Sequence, residues 1–505
     1  MENPIKTLAS QTAIYGMGTI IPRLLNYLLV PLYVRVFATG VYGQITDLYA
    51  WIAFLLALLT YGMETTFFRF TKIHDPQKIY NNIISCILTT TTLFLIIYFL
   101  IYKDFARIIQ YEHNTQYVLL IGIIVALDAL TAVPFAKLRN ENKAKQFTLI
   151  KISNVLLNIG LNIFFLLIIP EKALSISNKI FGAEAGLLIW VLISNILSSL
   201  LSLILLLPQF KTFKFQIDGK LLKPMLSYSI PILLLSLVGM VNEVADKILI
   251  KYLIPIPDAQ TLDSLGITST QYTLQQLGIY GANFKLAVLI TIFIQMFRYD
   301  SEPFFFDRAK DKNSPELFSK VMTYFVAFCL LIFLGVMLYI DIIKFFIGSN
   351  NSAYHEGLII VPIVLIANMF NGIVFNLSFW FKLRDKTYCG TIIATIGALV
   401  TIIGLFFLVP RIGYVGAALS HLGCYTVMMV VSYCWGQKEF PIPYQVGRIA
   451  IYFAIAMAIF ATSLLFKDYT LYIKMIANTL LILIYIAAIF ILERKNPLSY
   501  EVKNS

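Results

Sequence analysis

Residues Val41–Phe70 read VYGQITDLYAWIAFLLALLTYGMETTFFRF, and Ile279–Arg308 read IYGANFKLAVLITIFIQMFRYDSEPFFFDR. Each stretch carries Tyr-Gly, a long apolar run, then Glu followed three and four residues later by Phe-Phe. Tyr42 and Gly43 precede Tyr280 and Gly281 by 238 residues, and Glu64, Phe67 and Phe68 keep that offset to Glu302, Phe305 and Phe306. Five positions in register indicate an internal duplication. Each apolar run is also long enough to cross a bilayer core, which takes about 20 apolar residues in a helix.

The rest of the chain supports that reading. Of 505 residues, 59% are hydrophobic and 13% charged, whereas a soluble globular protein has roughly a quarter of its residues charged. The fold class is therefore all-α and integral to the membrane. Apolar windows between charged or turn-rich breaks place fourteen spans near 10–34, 44–66, 79–101, 116–135, 148–169, 185–207, 226–253, 277–298, 319–340, 358–381, 389–409, 414–435, 447–466 and 470–492.

The two copies fall in the second and eighth spans, six helices apart, so both halves run the same way through the membrane. Expected domains are an N-terminal six-helix lobe (1–223), a C-terminal six-helix lobe (224–438) around a common cavity, and a final helix pair with its tail (439–505). Fainter echoes agree. Asn26 and Asn242 are 216 residues apart, as are Arg35 and Lys251, and Lys137-Leu138-Arg139 returns 245 residues later as Lys382-Leu383-Arg384. The turn Gly182–Gly186 likewise matches Gly413–Gly416. The second half is longer by an external insert within IPIPDAQTLDSLGITSTQYTLQQLG, Ile254–Gly278.

Basic residues collect in alternate loops, 26 of the 39 Lys and Arg lying on one side. The positive-inside rule then puts both termini in the cytoplasm. The net charge of +12 follows from this topology and is no nucleic-acid signal. The first apolar run, interrupted by Pro22 and Arg23 and lacking a small-x-small cleavage pattern, is expected to remain as a helix.

Five cysteines in apolar runs without C-x-x-C spacing and four dispersed histidines point to no disulfide framework or metal site. There is no P-loop and no G-x-G-x-x-G opening a helix, so no ATPase module and no cofactor are expected. A membrane-embedded glycosyltransferase or polymerase would need a large external loop of catalytic polar residues. The longest external loop here has no His, Arg or Lys, and no enzyme is expected.

Two segments carry a family resemblance. SQTAIYGMGTIIPRLLNYLLVPLYVRVFATGVYGQITDL, Ser10–Leu48, and PRIGYVGAALSHL, Pro410–Leu422, resemble the polysaccharide transporter (Wzx-like) family of the multidrug/oligosaccharidyl-lipid/polysaccharide (MOP) exporter superfamily, over roughly residues 8–436. The resemblance implies a flippase of the bacterial cytoplasmic (inner) membrane. It would move an undecaprenyl-diphosphate-linked oligosaccharide from the cytoplasmic to the periplasmic leaflet for a surface polysaccharide such as O-antigen of lipopolysaccharide, capsule or exopolysaccharide. Membrane lipids and polysaccharide polymerase or export proteins would be its partners. A MATE-type cation-coupled drug antiporter would share the lobes and is the alternative reading.

Residue chemistry can be set against that substrate. A lipid diphosphate needs cations, for which Arg offers a planar fork and Lys a point charge. Arg23 lies deep in the first span, and helical spacing puts Asn26 and Tyr27 on its face. In VNEVADKILIK, Val241–Lys251, Glu243 and Lys247 stand four apart in the favourable order for a pair, while Asp246 has no obvious partner in its own helix. Asp128 sits mid-span, where an unpaired carboxylate is expensive, and it suits protonation, cation binding or neutralisation of Arg23. Asp47 and Lys285 are related by the 238-residue offset, and their opposite charges suit a gate.

The candidates are thus Arg23, Asn26, Tyr27, Lys247 and Lys285 for substrate; Asp128, Glu243 and Asp246 for a coupling H+ or Na+; and Asp47 for the gate. Each has a structural alternative. Arg23 could be neutralised by a carboxylate, Glu243 and Lys247 could be a mutually neutral pair, and Asp47 and Lys285 could snorkel to the interface. Glu64 and Glu302, beside Arg69 and Arg308, read as anchors of turns. Prolines 22, 31, 134, 231 and 362 are expected to break or bend helices.

Overall fold

The computed structural model describes residues 4–182, 185–308, 314–349 and 352–495, with side chains for 16–182, 185–298, 301, 305, 308, 314–349 and 352–494. Every element in those residues is helical. Among them, 13 helices are long and apolar enough to cross a membrane, and the pair Ser269–Leu286 and Val288–Arg298, bent by 48°, makes up to 14. The eighth expected span is that bent pair. By packing, the chain forms two compact units, Met1–Tyr252 with Ile256–Gly278, and Leu253–Pro255 with Ile279–Ser505. The seventh span therefore packs within the first unit, a division by contact that is distinct from the division by sequence repeat.

In the first unit, α1 (Pro4–Tyr27) and α2 (Leu29–Val36) form the first span. They break at Leu28 because Pro31 lacks the N–H that would bond back to Tyr27. Next come α3 (Thr39–Thr60) and α4 (Met63–Phe70), separated by Tyr61 and Gly62, both left-handed at φ 32° and 71°. Then follow α5 (Pro76–Ile108), α6 (Thr115–Asn140), α7 (Ala144–Ile163), α8 (Pro170–Phe181), α9 (Leu188–Phe210), α10 (Gly219–Leu253), α11 (Ala259–Leu265) and the start of α12 (Ser269–Leu286). Asp75 caps α5 by accepting from the Gln77 amide at 2.8 Å, with Pro76 at the first helical position.

Not every proline interrupts its helix. Pro134 and Pro231 lie inside α6 and α10, which run on unbroken. Neighbouring helices and local adjustment satisfy freed backbone groups in membrane helices, so proline is tolerated there.

Close packing in this unit depends on small residues. α1 meets α7 at Gly18, where an added Cβ would strike Thr148. At Gly43 of α3 a Cβ would overlap the carbonyl of Leu274, and at Gly278 of α12 it would overlap that of Thr39. Two helix backbones thus touch where each supplies glycine, the arrangement that lets membrane helices approach closely. The connection from α9 to α10 runs as a strap along α5. Alternate amides of Lys214, Gln216 and Asp218 donate to Asn81, Ser85 and Asn82 at 3.2, 2.9 and 2.6 Å. Side-chain oxygens on one face of α5 thereby satisfy an extended backbone that has no sheet partner.

The second unit holds α13 (Val288–Arg308), α14 (Ser314–Leu338), α15 (Ile340–Ile343), α16 (Ile360–Leu377), α17 (Phe379–Leu383), α18 (Tyr388–Ile412), α19 (Tyr414–Glu439), α20 (Val446–Leu464) and α21 (Leu471–Lys495). Pro362 falls in the first turn of α16, where a missing N–H is harmless. α18 and α19 form a tight hairpin. Gly413 turns it at φ 60°, and at Gly416 a Cβ would collide with the Leu408 carbonyl.

The helix pair α20–α21 docks on α14 through polar contacts. Glu493 accepts from Arg448 at 3.2 Å, from Tyr324 at 3.1 Å and from the Tyr452 hydroxyl. Tyr485 donates to the Ala327 carbonyl at 2.9 Å, and Lys474 meets Asp341 at 3.1 Å.

Candidate functional site

Two groups of charged side chains in the first unit bear on function. One includes Lys151, eight residues into α7. Its ammonium lies 3.9 Å from the centre of the Phe135 ring. Asp128, on α6, accepts from the Ser199 hydroxyl at 2.6 Å, and Ser199 lies one turn beyond Asn195, whose amide donates to Tyr49 at 3.0 Å. Glu64 stands 4.0 Å from Arg139, both about half exposed. Arg23 and Asn26 are exposed on α1, and Tyr27 is half-buried. These three cations, two carboxylates and neutral donors stand on α1, α4, α6, α7 and α9.

Why these residues stand there is local. The Gly18 contact brings α1 against α7, and the left-handed break at Tyr61-Gly62 restarts the helix so that Glu64 lies in the first turn of α4. A carboxylate there is favoured by the helix dipole.

The second cluster is a buried ion pair. Asp47 of α3 and Lys251 of α10 meet at 2.5 Å, both side chains with no exposed surface. Lys251 also donates to the Ile109 carbonyl at 2.8 Å and lies 5.0 Å from the centres of the Tyr111 and Tyr252 rings. The partner of Asp47 is thus Lys251, 204 residues away, where the repeat offset pointed to Lys285. Lys285 is exposed on the part of α12 that belongs to the second unit.

On α10, Lys247 reaches the Glu243 carbonyl at 2.7 Å and Asp246 at 3.1 Å. Asp246 does have a partner in its own helix, contrary to the sequence reading. That partner is the next residue, which helical spacing rules do not pair, while the Glu243 side chain is exposed. The Glu302 side chain lies outside the described residues. Among the described residues, no group of three or more His, Cys, Asp or Glu is placed to hold a metal ion.

Residues 8–299 match the model of the polysaccharide biosynthesis protein family. The chain belongs to that family. Its fold is similar to that of the lipid II flippase MurJ in an inward closed conformation, with a TM-score of 0.70 and 15% identity over 96% of this chain and 99% of that one. An inward-facing multidrug resistance MATE transporter of the MOP superfamily is similar at a TM-score of 0.58 and 13% identity, covering 85% and 97% of the two chains. A Vibrio cholerae MATE transporter is similar at 0.54 and 13%, covering 86% and 96%. At such identities the likeness is one of fold alone, an all-helical one with 13 to 14 candidate membrane spans among the described residues. No curated protein matches the sequence.

Within this family member, sequence reasoning passed over Lys151, Arg139 and Lys251. The first two read as part of a basic loop, yet Arg139 lies in α6 and Lys151 in α7. Lys251 read as a residue at a span's end. Ser199, Asn195 and Tyr49 carried no signal beyond being polar residues in apolar helices.

Proposed function

We propose that the protein is a flippase that moves an undecaprenyl-diphosphate-linked oligosaccharide from the cytoplasmic to the periplasmic leaflet by alternating access, in assembly of a surface polysaccharide. The observation that carries this reading is the exposed Arg23 within the first membrane helix of a polysaccharide biosynthesis family member. A cation kept in a membrane helix marks a substrate or ion path, and guanidinium suits phosphate. The reading places the protein in the inner membrane with both termini cytoplasmic, and divides it into lobes 1–223 and 224–438 plus the pair 439–505. Asn26 and Tyr27 offer the glycan polar contacts, and Lys247 and Lys285 add positive charge.

Asp128, Glu243 and Asp246 are the proposed sites for a coupling H+ or Na+, and Asp47, latched to Lys251, is the proposed gate. The protein would act as a transporter without chemical catalysis and hand its cargo to polymerase or export proteins.

Reconstitution in liposomes tests this directly. A fluorescent undecaprenyl-diphosphate oligosaccharide should become accessible on the opposite leaflet, and Arg23→Ala should abolish the movement. No lipid movement, with ion-coupled uptake of an organic cation by the same vesicles, would assign the protein to drug antiport.

A further inference from the structure

Helices α9 and α10 are both long and apolar enough to cross a membrane, so the residues 211–218 that join them lie at a membrane face. Their contacts with α5 follow an order. Gln77, the second residue of α5, donates to the Thr212 carbonyl at 2.9 Å and accepts from its hydroxyl at 3.1 Å. The Lys214 amide then reaches Asn81, the Gln216 amide Ser85 and the Asp218 amide Asn82. The contacts thus climb α5 from residue 77 to 85, about 12 Å at 1.5 Å per residue, and turn back to 82. Because α5 is itself of membrane-crossing length and starts at Pro76, the climb leads into the bilayer. Phe215-Gln216-Ile217 is the tip of a dip.

What the dip carries fits that place. Phe213 packs inward against the cluster of Met63, Phe67 and Met225, but Phe215 is 66% exposed and Ile217 50%. Non-helical backbone at membrane depth needs hydrogen-bond partners, and the buried Asn81, Asn82 and Ser85 supply them. Exposed Lys211, Lys214, Lys220 and Lys223 flank the tip. The single acid from 211 to 223, Asp218, accepts from the Lys220 amide at 2.9 Å at the start of α10. An apolar tip within a basic collar matches a leaflet with acyl chains below and anionic phosphates above. We propose that the 211–223 segment binds anionic phospholipid of the bilayer: Phe215 and Ile217 seat between acyl chains, and the four lysines hold the headgroups around them. The lipid is a resident of the membrane and not cargo, so the assignment stands apart from the flippase reading and from which face is cytoplasmic.

Full-length protein with Cys434→Ala, labelled with bimane at Gln216→Cys, reports on the tip while Phe215 and Ile217 stay in place. It is reconstituted in nanodiscs of phosphatidylcholine alone and of an equal mixture with phosphatidylglycerol. Nitroxides on the acyl chains should quench the label at least about twofold more in the mixture, since a lysine collar attracts anionic lipid, and iodide in the water should quench it less. Lys211→Gln, Lys214→Gln, Lys220→Gln and Lys223→Gln together should reduce the mixture to the phosphatidylcholine value. Phe215→Ser with Ile217→Ser should remove nitroxide quenching in both.

Equal nitroxide quenching in the two compositions would show an apolar wedge without headgroup recognition and overturn the proposal. Full access to iodide with no nitroxide quenching would put the tip in water, as for a surface that receives a protein, and would overturn it too. Reversal by soluble glycerol phosphate would mean that the lysines read phosphate alone, against a lipid site. Should the quadruple variant not fold, ionic strength decides with the native lysines in place. Added salt should bring the mixture down to the phosphatidylcholine value, and a salt-insensitive difference would overturn the role of the lysines.

Discussion

At the scale of single residues, the Asp47–Lys251 pair has the clearest energetic meaning. Both side chains are fully buried at 2.5 Å, so each charge exists there only because of the other. Removing one partner leaves an uncompensated buried charge, at a cost of about 3–5 kcal/mol. Asp47→Asn should therefore lower the apparent melting temperature in detergent sharply. Asp47→Leu with Lys251→Met, an apolar pair of similar bulk, should melt near native, since such replacements are often neutral. A dye that reacts with the buried Cys329, Cys389 and Cys424 as they open would read both. Equal losses in the single and double variants would show that the pair contributes by shape alone. The contrast with Arg23 and Asp128 explains what sequence can see. A lone charge inside an apolar run stands out, and both were visible for that reason. Lys251 was visible too, but a partner 204 residues away leaves no local trace, and Lys151 looked like any lysine of a basic loop.

At the scale of elements, glycine contacts and polar straps decide how helices meet. Gly43→Val should drive α3 off α12, since the new side chain would overlap the Leu274 carbonyl. Overpacking of this kind typically costs about 1–3 kcal/mol, again readable as apparent melting temperature, and a native value would mean the helices part readily at that point. The 212–218 strap makes a second prediction. With Asn81→Leu and Ser85→Ala, the amides of Lys214 and Gln216 lose their acceptors, and trypsin should cut at Lys211 or Lys214 faster than in native protein; unchanged cleavage would show that the strap is held by other contacts. A third concerns α21, which is tied to Asp341. Burial raises the Asp341 carboxyl, but hydrogen bonds from Lys344 and Lys474 outweigh it and hold the group below its ordinary value. A depressed carboxyl gives stability that is present above its unfolded value of about 3.9 and lost as pH falls through the folded one. Asp341→Asn should remove up to ~1 kcal/mol of stability at neutral pH, as expected for a partly exposed pair, and the gap to native should close below about pH 4. The apolar runs made these helices legible, because length and hydropathy alone select a span. Their breaks were not, since Tyr61-Gly62 interrupts the second span through two left-handed residues, and Pro134 and Pro231, which looked like breaks, do not interrupt theirs.

At the scale of the whole molecule, the duplicated stretch and the count of spans bear on one geometric claim, that both halves run in the same direction and both ends lie in the cytoplasm. A separation of six spans between the copies implies the same direction for both, and the excess of basic residues in alternate loops predicts the absolute one. Two exposed positions put this to the test. Ser264, in α11, belongs to the loop expected outside, and Lys72, between α4 and α5, to the basic side. With the exposed Cys434 replaced by Ala, a membrane-impermeant maleimide should label Ser264→Cys in intact spheroplasts. It should label Lys72→Cys only after lysis. Labelling in the reverse order would invert the whole chain and place Lys151, Arg139 and Glu64 at the periplasmic side. A substrate delivered from the cytoplasm would then meet the Asp47–Lys251 latch first, and the direction of transport proposed here would fail with the orientation. Labelling of both positions without lysis would contradict an odd number of crossings between them, counted as the second half of α3–α4 is left and α5, α6, α7, α9 and α10 are traversed. The orientation assay therefore tests the span count and the transport direction together, before any substrate is in hand.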